Sequence, residues 1–411
     1  MTKIALLSDI HIGKFGRGQE FSVDGETNQD LVEGASPLID GLISILNKER
    51  AEFLFVTGDI TSTGSPMEYL KFNEIIGKIT ANANINKNNV ILSLGNHDVD
   101  RRIAEISQSQ THYGHIKGTD TIGNIRKNYQ QIAAATSNIF LIQNRFDTSG
   151  PAPYSGIITR DGMIIFIPNS GWECSSHASS PEGILAQAQL DWFEKESSKV
   201  KDSNNWKIIL LHHHPYRYPF PTISSDSSIL KESPELIETA GKNGFHLICH
   251  GHRHHPRAHS TIESTWKNPI IFICAGSFSV NAKHRNSGDI PNCFHILELL
   301  DQKNKILFLK NFEYNVKEGW KKLKNFSPTT PLDPEMYFSQ PFSEHQRKTA
   351  LNSILSENSG KKNIKLPKWE DLPLELKTLR LEELNNLVKN MIPTDTEMFG
   401  EYPKEVAILG D

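Results

Sequence analysis

Five short apolar runs, each closed by side chains that bind hard metal ions, constrain this 411-residue chain more than any other feature. IALLSDIH closes on Asp9 and His11, FLFVTGD on Asp59, and ILSLGNHD on Asn96, His97 and Asp98. IILLHHHP closes on His212, His213 and His214, and HLICHGHRH on His250, His252 and His254. Short β-branched runs bounded by polar residues predict strands buried on both faces. In open α/β sheets ligands collect beyond the carboxyl ends of such strands. One such ending could arise by chance, whereas five with nitrogen and oxygen ligands predict a site.

The ligand types narrow the chemistry. Carboxylate, imidazole and amide oxygen suit Mn, Fe or Zn and leave no place for a soft thiolate site. Asp9 and His11 are two residues apart, so an extended strand end would turn both to the same side. Gly58, Gly95 and Gly251 each precede a ligand position, where a tight turn favours a residue without a Cβ. The four cysteines form no CxxC pair, which argues against a zinc ribbon or finger.

Between the strands the chain predicts long loops and helices. Residues 13–36 are polar and Gly-rich, and a helix is expected from about Pro37 to Asn47. Residues 99–150 read as a cap-like insertion over the site, and PYRYPFPTISSDSS (Pro215 to Ser228) as a third long loop. GILAQAQLDWF (Gly183 to Phe193) predicts a helix that packs Leu185, Leu190, Trp192 and Phe193 on a sheet. The strand-like IIFICAGS, CFHILELL and ILFLKNF are expected to complete a second sheet. The pattern then shifts, giving a division into 1–326, a catalytic domain, and 327–411, a Pro-rich connector followed by helices at Glu344–Glu357 and Leu374–Met391. The net charge of −4 lies wholly in residues 327–411, with 10 basic against 14 acidic residues, so global charge neither demands nor excludes nucleic acid. Without an evident signal sequence or a membrane-length apolar stretch, the chain is expected to reside in a reducing cytoplasm, away from membranes.

The order DxH, GD, GNHD, H-x-P and GHxH, from Met1 to about Phe312, resembles the calcineurin-like metallophosphoesterases. GDITSTGSPMEY (Gly58 to Tyr69) is similar to the branch that holds class III cyclic-nucleotide phosphodiesterases. GNHDVDRR (Gly95 to Arg102) resembles phosphoesterases that accompany NTPases in bacterial defence systems. The GDxVDRG and GNHE blocks of serine/threonine protein phosphatases are not matched, which counts against a phosphoprotein substrate. The resemblance implies an α/β fold, a four-layer α/β/β/α sandwich of two mixed sheets, with the helical C-terminal part as an extension. It further implies two divalent transition-metal ions (Mn, Fe or Zn, with Mn favoured) bridged by Asp59. Asp9, His11 and His254 would complete one metal, and Asn96, His213 and His252 the other. A hydroxide bridging the metals would attack the phosphoester. His97 would stabilise the transferring phosphoryl group or protonate the leaving oxygen, with Asp98 orienting its imidazole. His213 is chosen from the triplet because the family's ligand lies two residues before the proline; His212 is the alternative.

Arg101, Arg102, Arg217 and Arg253, with Arg17 and Arg257, lie in or beside the site-bearing loops and could clamp phosphates. Tyr216, Tyr218 and Phe220 could stack on a base or pack on the rim. The expected activity is hydrolysis of a phosphodiester of a nucleotide or nucleic acid. The competing readings are a nuclease subunit that docks a protein partner through the C-terminal helices and a non-catalytic scaffold. A scaffold would be expected to lose ligands, and here the full set is present.

Overall fold

A computed structural model describes residues 1–23, 35–99, 155–171, 182–218, 228–282, 290–324, 332–339, 344–357, 363–365, 371–377, 387 and 397–399. The cap-like insertion after Val99, with Arg101 and Arg102, lies outside them, as do Phe220 and most of the helix expected up to Met391.

The apolar runs become strands in two sheets. In the first, β1 (Thr2–Leu7), β2 (Phe53–Thr57) and β3 (Val90–Ser93) are parallel neighbours. In the second, β4 (Gly156–Arg160) lies antiparallel to β5 (Met163–Ile167). β5 then runs parallel to β6 (Trp206–Leu210), β7 (Leu247–His250) and β9 (Ile270–Cys274), and β8 (Arg257–Thr261) closes the edge antiparallel to β9.

One expectation is overturned. Of the three runs assigned to the second sheet, only IIFIC stays there. β10 (Cys293–Asp301) instead pairs antiparallel with β1, and β11 (Ile306–Asn315) with β10, so both extend the first sheet. β12 (Gly319–Lys322) and β13 (Glu335–Phe338) both add to β11. An apolar run does not say which sheet edge it will join; here the return covers β1, whose N–H and C=O row would otherwise be an open edge.

Period-two alternation builds four layers. Ile4 and Leu6 of β1, Phe53 and Phe55 of β2, and Ile208 and Leu210 of β6 meet in one core between the sheets. Ala5, Leu7, Leu54 and Val56 point outward against the helices Leu38–Glu49 and Pro66–Asn82. Phe166, Ile209, Ile248 and Phe272 pack on the helices Gln187–Lys199 and Ser233–Lys242. The expected α/β/β/α sandwich is therefore present. The helix expected from Gly183 begins four residues later, at Gln187; Leu185 and Phe193 are buried in this outer core and Leu190 and Trp192 pack on it.

The start of Pro66–Asn82 is firmly specified. Ser65 and Glu68 form a capping box, Pro66 occupies the first turn, and Glu68 also accepts from the Thr63 amide at 3.0 Å. That fixes the loop between Asp59 and the helix. In the C-terminal part, the helix Glu344–Glu357 forms as expected with Leu351 and Ile354 buried, and Leu372 and Leu376 of the following described segment are buried too. No helix among the described residues is long and apolar enough to cross a membrane.

Candidate metal centre

All five ligand-bearing segments leave the carboxyl ends of parallel strands: β1, β2 and β3 from the first sheet, β6 and β7 from the second. The site thus spans the seam between the sheets. Asp9 and His11 do not sit on an extended strand end. β1 stops at Leu7, and both residues take left-handed backbone at φ 51°. Asp59 (φ 48°), His252 (φ 74°) and His254 (φ 53°) do the same. Each such non-glycine conformation costs on the order of 1 kcal/mol or more and persists only where the surroundings enforce it. Here hydrogen bonds from the Asp9 amide to the Gly58 carbonyl (3.1 Å) and from the His11 amide to the Asp59 carbonyl (2.9 Å) tie the loops together.

The glycines also act differently from expectation. Of the three, only Gly58 needs a left-handed turn (φ 85°). Gly95 and Gly251 are required by close approach. A Cβ on Gly95 would stand 2.3 Å from Asp59 Oδ1, and one on Gly251 would stand 1.8 Å from Ser8 Oγ and 2.4 Å from Asp9 Oδ2.

Two groups of ligand atoms result, Asp9, His11, Asp59 and His254 in one and His212, His213 and His252 in the other, each gathered within 4.8 Å. Asp59 Oδ2 stands between them, 3.4 Å from His11 Nε2 and 3.2 Å from His212 Nε2. Asp9 Oδ1 is 3.1 Å from His254 Nε2. The second-sheet loop closes on the first through the His252 amide, which donates to Asp9 Oδ2 at 3.0 Å.

The residues fit a pair of divalent ions. Asp9 Oδ1, both ring nitrogens of His11 and Asn96 Oδ1 are buried and make no hydrogen bond. Burying polar atoms without partners costs several kcal/mol in all, at roughly 1–3 kcal/mol each. These atoms converge from the loops after β1 and β3, and a cation between them removes that cost. His212 carries the same message. Its Nδ1 donates to the Thr57 carbonyl at 2.7 Å, and its Nε2 meets both His252 Nδ1 at 3.1 Å and Asp59 Oδ2 at 3.2 Å. Two imidazole nitrogens and a carboxylate oxygen gathered this closely make a set that a proton or a metal ion can hold together.

The electrostatics agree. Burial would push the His212 imidazole down, but Asp59 outweighs it and holds its pKa up at about 9. Burial and then the neighbouring His212 hold His213 well below the usual range, and burial and then His213 do the same to His252, leaving both as neutral donors. Burial would raise Asp9 and Asp59, yet the facing His254 and His212, respectively, keep both carboxyls well below the ordinary value. Asp98 moves the other way, to about 7, through burial and then the nearby Asp59, against hydrogen bonds from the Gly95 and Thr61 amides.

His97 is half-buried beside the first group, its ring centroid 4.7 Å from that of His11. Its amide donates to Asp59 Oδ1 at 2.8 Å. The expectation that Asp98 orients this imidazole is corrected: the Asp98 carboxylate accepts from the amides of Thr61 (2.9 Å) and Gly95 (2.8 Å). His97 Nδ1 instead donates to the Ser62 carbonyl at 2.9 Å. Asp98 therefore braces the GNHD turn.

His213 lies in the second group with Nδ1 2.9 Å from Ser170 Oγ, a residue the motifs did not flag. His214 stacks on His252 with centroids 5.8 Å apart, and His250 Nε2 meets the Tyr218 hydroxyl at 2.6 Å. Tyr218 thus packs on the rim. Arg217 is exposed, whereas Arg253 is buried, with Nη1 3.4 Å from Ser228 Oγ. Arg17 is directed to Asn292 at 2.9 Å, and Arg257 lies over the Tyr218 ring at 5.2 Å.

A family model described as calcineurin-like phosphoesterase matches residues 2–256. No curated protein sequence matches the chain. Similar solved structures include a purple acid phosphatase from yellow lupin (Lupinus luteus) seeds, at 14% identity and a TM-score of 0.48, covering 82% of this chain and 53% of that one. The chain thus spans about half the length of the lupin protein. A dimetal phosphatase from Danio rerio follows at 12% identity and a TM-score of 0.43, covering 75% of this chain and 95% of that one. A third is a 5′-nucleotidase described as putative from Staphylococcus aureus, at 11% identity and a TM-score of 0.37, covering 78% of this chain and 52% of that one.

Proposed function

The chain belongs to the calcineurin-like phosphoesterase family, and from that premise we propose that it hydrolyses a phosphodiester of a nucleotide or nucleic acid at a two-metal centre. The observation that carries this reading is the position of Asp59 Oδ2, within 3.4 Å of an imidazole nitrogen from each ligand group. From there the Asp59 carboxylate would serve both ions. Asp9, His11, Asp59 and His254 would hold one metal. Asp59, Asn96, His252 and one imidazole of the triplet would hold the other. The donors are all nitrogen and oxygen, a set that suits Mn. When bound, the metals would polarise the phosphoryl oxygens and lower the pKa of water at the site.

The chain's own residues supply the rest. His97 sits beside the first group with Nδ1 fixed on a carbonyl, where its imidazole would serve the leaving-group oxygen or the developing phosphoryl charge. Arg217, exposed three residues beyond the histidine triplet, is the described arginine that would meet a second phosphate or a nucleic-acid backbone, and we extend that role to Arg101 and Arg102. Arg253 reads instead as a brace on Ser228. We place the end of the catalytic unit after Phe338, because β13 completes the first sheet and Leu332, Met336 and Phe338 enter the core between the sheets.

Within the triplet, the geometry favours His212 over His213 as the ligand, through its orientation toward Asp59 and its carbonyl brace, an arrangement typical of metal-binding histidines. His212→Ala is expected to lose about one metal per chain, while His213→Ala retains both. The converse result would restore His213 as the ligand.

The substrate class is tested with Mn-reconstituted protein on bis-p-nitrophenyl phosphate, a 3′,5′-cyclic nucleotide, single- and double-stranded DNA, and a phosphomonoester. Cleavage of the diesters with little action on the monoester is expected. Preferential cleavage of the monoester would overturn the diester assignment, and cleavage of DNA alone would establish the nuclease reading.

A further inference from the structure

We propose that Phe15 is a positioning residue for His97, an inference that rests on the phosphoesterase reading. Phe15 lies four residues beyond His11 in the first ligand loop, and no sequence motif marked it. Its ring meets the imidazole of His97 edge-on, with centroids 5.7 Å apart at 87°. The same ring meets His11 at 6.0 Å and 74°. His97 is therefore held on three sides: by Phe15, by His11 at 4.7 Å, and through Nδ1 by the Ser62 carbonyl at 2.9 Å.

Phe15 is itself held in register with that carbonyl. Its amide donates to Ser62 Oγ at 3.1 Å, while the same hydroxyl donates to the His11 carbonyl at 2.8 Å. The Ser62 amide donates to the Ile12 carbonyl at 2.8 Å, and the Asn281 amide to the Phe15 carbonyl at 2.9 Å. Ser62 thus gives its carbonyl to His97 and its hydroxyl to the loop carrying Phe15, so ring and carbonyl move as one unit. A hydrogen bond at Nδ1 does not by itself fix the plane of the ring, which can swing about its Cβ–Cγ axis and exchange tautomers. An aromatic edge packed at right angles blocks that swing, keeping Nδ1 on Ser62 and Nε2 toward the substrate. Displacement of a reacting group by about 1 Å can cost up to ~100-fold in rate.

The test compares Phe15→Leu, which keeps apolar bulk but removes the ring, with Phe15→Tyr, which keeps the ring. In zinc-loaded protein, the His97 ring nitrogens are followed by long-range 1H–15N spectra, alongside kcat, KM on bis-p-nitrophenyl phosphate and metal content. Phe15→Leu is expected to average the two His97 nitrogen signals toward a tautomer mixture. It should lower kcat about ten- to a hundredfold with KM and metal content retained. Phe15→Tyr is expected to recover a single Nδ1-protonated tautomer and most of the turnover. Unchanged His97 signals in Phe15→Leu would overturn the inference, as would a rise in KM alone, which marks a substrate contact, or a loss of metal. Should the wild-type protein hydrolyse none of the esters, the phosphoesterase reading fails, while the nitrogen spectra still decide the role of Phe15.

Discussion

Asp59→Asn is expected to abolish stable binding of the metal pair and to reduce turnover roughly a thousandfold, the scale of removing a principal electrostatic element from an active site. The substitution is close to isosteric, so the fold should survive. What changes is charge and donor character at one atom. Asp59 Oδ2 faces His11 Nε2 at 3.4 Å and His212 Nε2 at 3.2 Å. An amide there offers either a neutral oxygen, which cannot balance two divalent ions, or an NH2 group, which repels them. Because its Oδ2 faces an imidazole of each ligand group, the loss should be cooperative, with neither ion retained at stoichiometric level. Metal content per chain and kcat on bis-p-nitrophenyl phosphate check this directly. A variant that keeps two metals would remove Asp59 from the bridging position.

His97→Ala is expected to separate chemistry from metal binding. Both metals should remain, because the ligand atoms of the two groups come from other residues. Turnover should fall by about 10²–10⁴-fold, the usual contribution of a positioned acid or base. The leaving group distinguishes the two roles open to this imidazole. If Nε2 protonates the departing oxygen, the loss is smaller for p-nitrophenyl esters, whose leaving group needs little help, than for nucleotide diesters with alkoxide leaving groups. Equal losses on both would assign His97 to stabilising phosphoryl charge. Wild-type kcat in the variant would remove it from the site.

The strands and their carboxyl-end ligands were legible because an apolar run closed by a hard ligand leaves few alternatives. The four layers were implied by the family resemblance, and in the structure alternation builds them, as Ile4 and Leu6 against Ala5 and Leu7 show. The destination of β10 was not legible, since Cys293–Asp301 is as apolar as a strand of either sheet and its partner is set by the open edge of β1. Residue spacing misled at Asp9 and His11, where left-handed backbone rather than strand alternation aims the side chains. It also left His212 and His213 unresolved, because register beyond the end of β6 depends on which carbonyl meets which ring, here Thr57 with His212. The partners of His97 were hidden for a similar reason. Ser62 acts through its backbone carbonyl, and Phe15 through a loop whose course no local pattern dictates.

The central claim is that hydrolysis depends on two metals held where the sheets meet, and the most direct measurement is metal-dependent turnover of bis-p-nitrophenyl phosphate by the 411-residue chain. Chelator-stripped protein should be inactive, and titration with Mn should restore activity in step with binding of two ions per chain. Hydrolysis that persists undiminished after stripping, or saturation at no bound metal, would contradict the account.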